Sequence, residues 1–360
     1  MRLGGLCWPI VGLTFFLMLA GALNQASATM GGILFKKQLL WFFLGTLLLV
    51  GLALSDYRKL LSLRLVFLAY VGLTGVLLLL AVKHTRWLHL PGVGIQPSEF
   101  AKLLLVVLSA LILCRHEEEG LDLKSFLYLS AFSFPLIFLV AATDLDQGGM
   151  LFLIYLSFLA VAGLPKRLVL GALGAGIVLA VTLGPYLWGL LKPYQRARVE
   201  AFLNPEAFAL DRGYQILQAL IAVGSGGFKG FGYQEGLSSR LNYLPEKHTD
   251  LAFAVWAEEW GFVGASLVIL AFFLLIFFIL RLAREVRDPL GRYLCYGVAS
   301  MLFWEVFINI GGILHLLPVA SVPLPFLSYG GSSVLVNMAA IGLVLSISRR
   351  RYSFRWASGA

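Results

Sequence analysis

The chain has 360 residues, 59% of them hydrophobic and 13% charged, with a formal net charge of +9. Soluble domains carry about 25% charged residues. So few charges cannot cover a water-facing surface, which excludes a soluble enzyme and makes lipid the solvent for most of the chain. The positive balance suits nucleic acid or a membrane surface, and its placement along the chain decides for the membrane and against nucleic acid.

Apolar runs of about 20 residues are long enough to cross hydrocarbon. In chain order they fall near 6–24, 38–55, 63–82, 99–114, 126–142, 149–163, 168–189, 251–280, 293–315 and 326–347. The first follows Arg2 and ends near Ala26-Ser27-Ala28, a pattern shared with secretory signals. It is long enough to span, and further spans follow at once, so it is read as a membrane helix. The sixth run is short and the eighth long. The predicted fold is all-α: one polytopic membrane domain over 1–360 with about ten crossings, which puts both termini on the same side.

Lysine and arginine set the orientation. With the termini inside, the inner segments hold Arg2, Arg58, Lys59, Arg64, Arg115, Lys124, Lys166, Arg167, Arg281, Arg284, Arg287, Arg292, Arg349, Arg350, Arg351 and Arg355. The short outer loops hold only Lys36, Lys37, Lys83 and Arg86. The remaining segment, about 190–250, is a large outer loop, and long loops cross largely regardless of charge. Loops of this length are functional or disordered, and this one is rich in aromatic and apolar residues. Tyr214 to Val223 has the spacing of an amphipathic helix lying on the membrane surface. There is no internal repeat. Cys7, Cys114 and Cys295 lie far apart in apolar stretches and form neither a metal spacing nor a disulfide framework.

Charges within spans are costly and normally face a cavity or each other. Glu99 and Lys102, three residues apart, share one helix face. They read either as a structural ion pair or as the lining of a polar cavity, and Glu258, Glu259 and Glu305 invite the same two readings. Asp144 and Asp146 sit in a short turn, where a solvated loop end is expected. Asp250 closes the outer loop at the start of the eighth span. It is either a helix N-cap or a general base. The glycine-dense Gly224–Gly232 segment is no Walker loop; an anion nest and simple chain flexibility explain it equally.

A series of ordered segments then resembles one family. Gln96-Pro97-Ser98-Glu99-Phe100-Ala101-Lys102 opens the fourth span. Tyr194-Gln195-Arg196, Gly213-Tyr214-Gln215 and Ala222-Val223-Gly224-Ser225-Gly226-Gly227 lie in the outer loop. Leu244-Pro245-Glu246-Lys247-His248-Thr249-Asp250 precedes Ala257-Glu258-Glu259-Trp260-Gly261. Asn309-Ile310-Gly311 and Leu317-Pro318-Val319 lead to Pro323-Leu324-Pro325-Phe326-Leu327-Ser328-Tyr329-Gly330-Gly331-Ser332-Ser333. Over 96–347 the chain resembles the SEDS family (shape, elongation, division and sporulation proteins), and most of all its rod-shape type. It departs at Thr143-Asp144-Leu145-Asp146-Gln147-Gly148-Gly149, where the family usually shows Pro-Asp-Leu-Gly-Thr, and at Leu251-Ala252-Phe253, which alters only packing.

The resemblance implies a peptidoglycan glycosyltransferase of the bacterial cytoplasmic membrane. It would polymerise lipid II into a glycan strand beside a class B penicillin-binding protein. Asp250 is implied as the catalytic base. Pyrophosphate leaves without protonation, so one base and a cationic clamp suffice. Arg196, Arg198, Arg212, Lys229, Arg240 and Lys247 are the clamp candidates, and a divalent cation such as Mg2+ or Mn2+ can share that work. Glu99, Lys102, Asp146, Glu258 and Ser332 are the candidates for lining the substrate cavity. The rival readings are a lipid II flippase, for which no inverted repeat is found, and a non-catalytic scaffold.

Overall fold

A computed structural model describes residues 7–90, 93–115, 123–163, 193–208, 212–241 and 243–350, with a few isolated positions between 171 and 189. Helix α1 runs Cys7–Ala28, α2 Ile33–Leu54, the short α3 Tyr57–Leu60 and α4 Leu63–Val82. A two-stranded hairpin follows, β1 Leu88–Leu90 antiparallel to β2 Val93–Ile95, with His89 opposite Gly94. Then come α5 Pro97–Leu113, α6 Leu123–Thr143 and α7 Leu145–Val161. The loop region carries α8 Pro193–Leu203, α9 Arg212–Ser225 and α10 Leu237–Arg240. The chain closes with α11 Ala252–Glu285, α12 Pro289–Ile313 and α13 Gly331–Arg350.

Seven described helices, α1, α2, α4, α6, α11, α12 and α13, are long and apolar enough to cross a membrane. Helices α5 and α7 match two further expected runs at 17 residues each. The expected span at 168–189 lies outside the described residues. The short α5 is not lipid-facing: most of its positions are buried, and it packs against α4, α6, α7, α12 and α13.

Lipid offers helices no hydrophobic drive to associate, so close packing of small residues does that work. Helix α2 crosses α13 at glycines. A Cβ on Gly45 would lie 2.9 Å from Met338, and one on Gly342 would lie 2.8 Å from the Leu49 carbonyl. In α1, Gly21 lies against the Pro325-Phe326-Leu327 turn, and a Cβ there would stand 2.0 Å from the Phe326 carbonyl oxygen. Phe326 itself is buried at φ +65°, a conformation rare for a bulky side chain.

The glycine-dense segment has a packing role that neither sequence reading gave it. Helix α11 is broken at Gly261, where φ is +61° and ψ −162°. The segment lies backbone-to-backbone along that break. Phe231 and Gly232 donate to the Glu258 and Glu259 carbonyls at 3.1 and 2.9 Å, and Phe262 donates back to Gly227 at 2.8 Å. Side chains on Gly226 or Gly230 would meet carbonyl oxygens of α11 at 2.2 and 2.1 Å.

Gly21→Ala is therefore expected to push α1 off the 325–327 turn and to cost about 1–3 kcal/mol. Gly12→Ala, with nothing within 4 Å of the added Cβ, should be neutral or slightly stabilising. Thermal melts of the two purified variants in the same detergent check the contrast.

Candidate functional site

At one end of the bundle the loop of Asp250, the α4–α5 hairpin and the start of α13 enclose a cavity of about 450 Å³. Asp250 and Thr249 border it from the loop, Arg86, Trp87, Gln96 and Glu99 from the hairpin and the first turn of α5, and Tyr329, Ser332 and Ser333 from the approach to α13. Asp250 is half-buried. It is not the N-cap of α11, because Leu251 holds that position.

This wall is irregular backbone, and side-chain amides from the membrane helices hold it. Gln25 of α1 donates to the carbonyls of His248 and Leu327 at 2.9 and 2.8 Å. Asn309 of α12 donates to the Asp250 and Val322 carbonyls at 2.9 and 2.8 Å. The Tyr329 amide donates to His248 at 2.7 Å. The Asp250 turn is thus held through its backbone by α1 and α12 where it borders the cavity. The Ser332 hydroxyl accepts the Gln96 amide at 3.0 Å, tying α5 to α13 across the cavity.

Glu99 and Lys102 pair as their spacing predicts, at 2.8 Å. The sequence did not place the third member: Glu305 of α12 lies 2.5 Å from the Lys102 ammonium on its other side. All three side chains are at most 1% exposed. The triad ties α5 to α12, and of the pair Glu99 is also among the residues bordering the cavity.

The turn at Asp144–Gly149 corrects the expected solvated loop end. Asp144 is 6% exposed and caps α7, accepting from the Gln147 amide at 3.3 Å. Its other oxygen pairs with Arg86 at 3.2 Å. Asp146 accepts the Ser321 amide at 2.9 Å, and the Gln147 side chain donates to the Ser321 carbonyl at 3.2 Å. The expected solvation is replaced by two partners, because one oxygen caps α7 and the other pairs with Arg86. Asp146 borders a second cavity of about 870 Å³, lined by Trp304, Phe307 and Leu317 among others. Arg86 and Val319 border both cavities.

The described members of the predicted cationic clamp, Arg196, Lys229, Arg240 and Lys247, are not among the residues that border the first cavity. Arg240 is exposed and pairs with Glu235 at 2.6 Å. Arg196 donates to the Gly189 carbonyl at 2.5 Å, and Lys229 is exposed beside the Gly261 break. Lys247 is half-buried next to the Asp250 turn, and desolvation pulls its ammonium below the usual lysine range. The side chains of Arg198 and Arg212 lie outside the described part. Among the described residues the basic side chain bordering the cavity is Arg86. Sequence reading had only counted it as an outer-loop charge, although an arginine shortly before Gln96-Pro97-Ser98-Glu99 was a usable signal. Glu258 is buried against Gly236 and supports the loop. Among the described residues no group of three or more histidine, cysteine, aspartate or glutamate side chains forms a metal cage.

The fold and site define a polytopic membrane protein with an aspartate-bordered polar cavity at one membrane face. The chain belongs to the FtsW, RodA and SpoVE family of cell cycle proteins, whose family model matches residues 2–353. It is 40% identical over 267 residues to the peptidoglycan glycosyltransferase MrdB of Escherichia coli, covering 74% of this chain and 71% of that protein. It is 34% identical over 317 residues to a probable peptidoglycan glycosyltransferase FtsW of a Geobacter species, covering 88% and 80%. Its structure resembles a chain from a peptidoglycan synthase complex studied for the coordination of polymerisation and crosslinking, with a TM-score of 0.79 at 28% identity over 96% of this chain and 98% of that one. It also resembles the crystal structure of the Thermus thermophilus rod-shape-determining protein RodA, with a TM-score of 0.67 at 28% identity over the same shares.

The triad predicts an unequal response to its two α5 members. Lys102→Met leaves two buried carboxylates without their cation and should cost about 3–5 kcal/mol. Glu99→Gln leaves Lys102 paired with Glu305 and should cost much less. Comparing the melting temperatures of both variants tests this order, and equal losses would contradict it.

Proposed function

We propose that this protein is a peptidoglycan glycosyltransferase that polymerises lipid II on the outer face of the bacterial cytoplasmic membrane, with both termini inside. The observation that carries this reading is the half-buried Asp250, clamped through its backbone by Asn309, at the edge of a cavity that also contains Arg86. Membership of a family whose relatives are named peptidoglycan glycosyltransferases supports it.

In this reading the acceptor sugar's 4-hydroxyl oxygen attacks the donor's anomeric carbon. The bond from that carbon to the phosphate oxygen breaks, and undecaprenyl pyrophosphate leaves with the electron pair. The Asp250 carboxylate takes the hydroxyl proton. Arg86, between the two cavities, holds the leaving pyrophosphate, and Asp144 orients its guanidinium. The apolar walls of the second cavity suit the lipid end of a substrate. A divalent cation supplies further charge neutralisation to the phosphates when bound. Glu246, also on the first cavity, is the carboxylate that would help hold it. A class B penicillin-binding protein is the proposed partner, supported by the resemblance to a chain of a synthase complex.

Asp250→Asn should abolish polymerisation, because general-base catalysis is typically worth about 10²–10⁴-fold, yet leave the melting temperature unchanged. Arg86→Gln should lower polymerisation and leave Asp144 buried without its cation. Glycan growth from lipid II by purified protein with its partner measures both. An Asn variant that polymerises at the normal rate removes Asp250 from the mechanism. Movement of lipid II between leaflets without chain growth supports the flippase reading instead.

The orientation has its own test. In a background lacking native cysteines, a cysteine at the exposed Ser225 should react with an impermeant thiol reagent added to intact cells, and one at the exposed Lys59 should not. Ser348, packed against the Cys7 thiol, is too buried to report. Labelling at position 59 from outside would reverse the topology.

A further inference from the structure

Helices α4, α5 and α6 carry the site at one end only. Arg86 follows α4, Gln96 and Glu99 open α5, and Asp144 follows α6. At their opposite end the same three helices enclose a groove of about 490 Å³. Its walls are apolar: Leu63 and Phe67 from α4, Leu108 and Leu111 from α5, and Tyr128 and Phe132 from α6. Phe132 meets the Tyr70 ring edge-on at 5.5 Å. Two arginines complete the rim, Arg64 in the first turn of α4 and Arg115 just beyond α5. Both are exposed, and neither side chain forms an ion pair or hydrogen bond with the described residues. At the same end Arg58 pairs with Asp288 at 3.1 Å and Arg349 donates to the Ala53 carbonyl at 2.9 Å.

We propose that this groove is a binding site for one anionic phospholipid. Arg64 and Arg115 grip its phosphate, and its acyl chains lie between Phe67, Leu108, Leu111 and Tyr128. Charge complementarity selects the occupant. An unoccupied apolar groove in a bilayer would be filled by any acyl chain, but two arginines at its mouth, at the level where a span begins and ends, favour a headgroup with net negative charge. The bound lipid bridges α4 to α5 and α6 where α4 is otherwise strongly lipid-exposed, with Leu63 and Phe67 each 51% exposed. In the proposed orientation this is the cytoplasmic leaflet. The site is independent of the chemistry assigned to Asp250.

Glu117, Glu118 and Glu119 follow Arg115 in the sequence and lie outside the described residues. They are the competing partners for its guanidinium, and the test separates the two.

Native mass spectrometry of the purified full chain, titrated with phosphatidylglycerol or phosphatidylcholine of the same acyl chains, reads retained lipid. Wild type should retain phosphatidylglycerol preferentially. Arg64→Gln with Arg115→Gln should weaken that retention roughly tenfold or more, at about 1 kcal/mol per basic residue, and leave phosphatidylcholine adducts unchanged. Thermal melts should show stabilisation by phosphatidylglycerol in wild type, and none in the double variant or with glycerol 1-phosphate. Equal retention of both lipids by wild type, or unchanged retention by the double variant, overturns the proposal. So does stabilisation by glycerol 1-phosphate alone, because the groove would then contribute nothing. Preference that appears only after Glu117, Glu118 and Glu119 are all changed to Gln overturns it as well, since the chain's own carboxylates would be holding the arginine.

Discussion

Hydrocarbon satisfies no hydrogen bond, and the described irregular stretches around the cavity are built around that fact. A helix pairs its own backbone groups; a loop at membrane depth cannot, so it must borrow partners from its neighbours. The Asp250 turn and the 322–329 segment borrow them from Gln25 and Asn309, two side-chain amides on different helices. The glycine-dense segment borrows them from the backbone exposed where α11 breaks at Gly261. Without these partners the cavity wall would be a row of unpaired carbonyls, each costing several kcal/mol in lipid. The same constraint gives the site its rigidity, since a loop bonded on two sides keeps its backbone in one place.

The charged groups obey a parallel rule. Lys102 is fully buried at a helix–helix contact, and two carboxylates flank it. Asp144 is nearly as buried and serves at once as helix cap and partner of Arg86. Neither arrangement is a simple gain in stability, because desolvation offsets much of the attraction. What each provides is position: the triad locks α5 against α12, and the capped turn aims an arginine at the junction of two cavities. Fixed dipoles and charges around a reacting centre need no reorganisation during the reaction, which is where such a site gains its rate.

Much of this was legible in the sequence, for physical reasons that act along the chain. The 3.6-residue geometry of a helix put Glu99 and Lys102 on one face, and the hydrocarbon thickness fixed the length of the apolar runs, so nine of the ten expected spans correspond to described helices. The rank of Asp250 among the carboxylates came from its place at the end of the outer loop and from the family resemblance. Sequence alone could not choose between a base and an N-cap, and the start of α11 at Ala252 gives the N-cap position to Leu251 instead.

What only the tertiary structure decided are the contacts between residues far apart in the chain. Nothing in the local pattern links Glu305 to Lys102 or Arg86 to Asp144, because those pairings depend on which helix faces meet. The basic residues of the outer loop looked like a clamp because charge and proximity in sequence were the only information available. Folded, Arg240 and Arg196 find nearer partners, and the cavity receives an arginine from a hairpin more than a hundred residues earlier. The glycines behave the same way. Composition marks them as unusual, but whether glycine serves flexibility, an anion or close approach is set by what lies within 3 Å of the missing side chain, and here that is the backbone of α11. Length, hydropathy and local periodicity are properties of a segment and can be read from it. A cavity is made by segments that meet, and its chemistry is fixed only when they do.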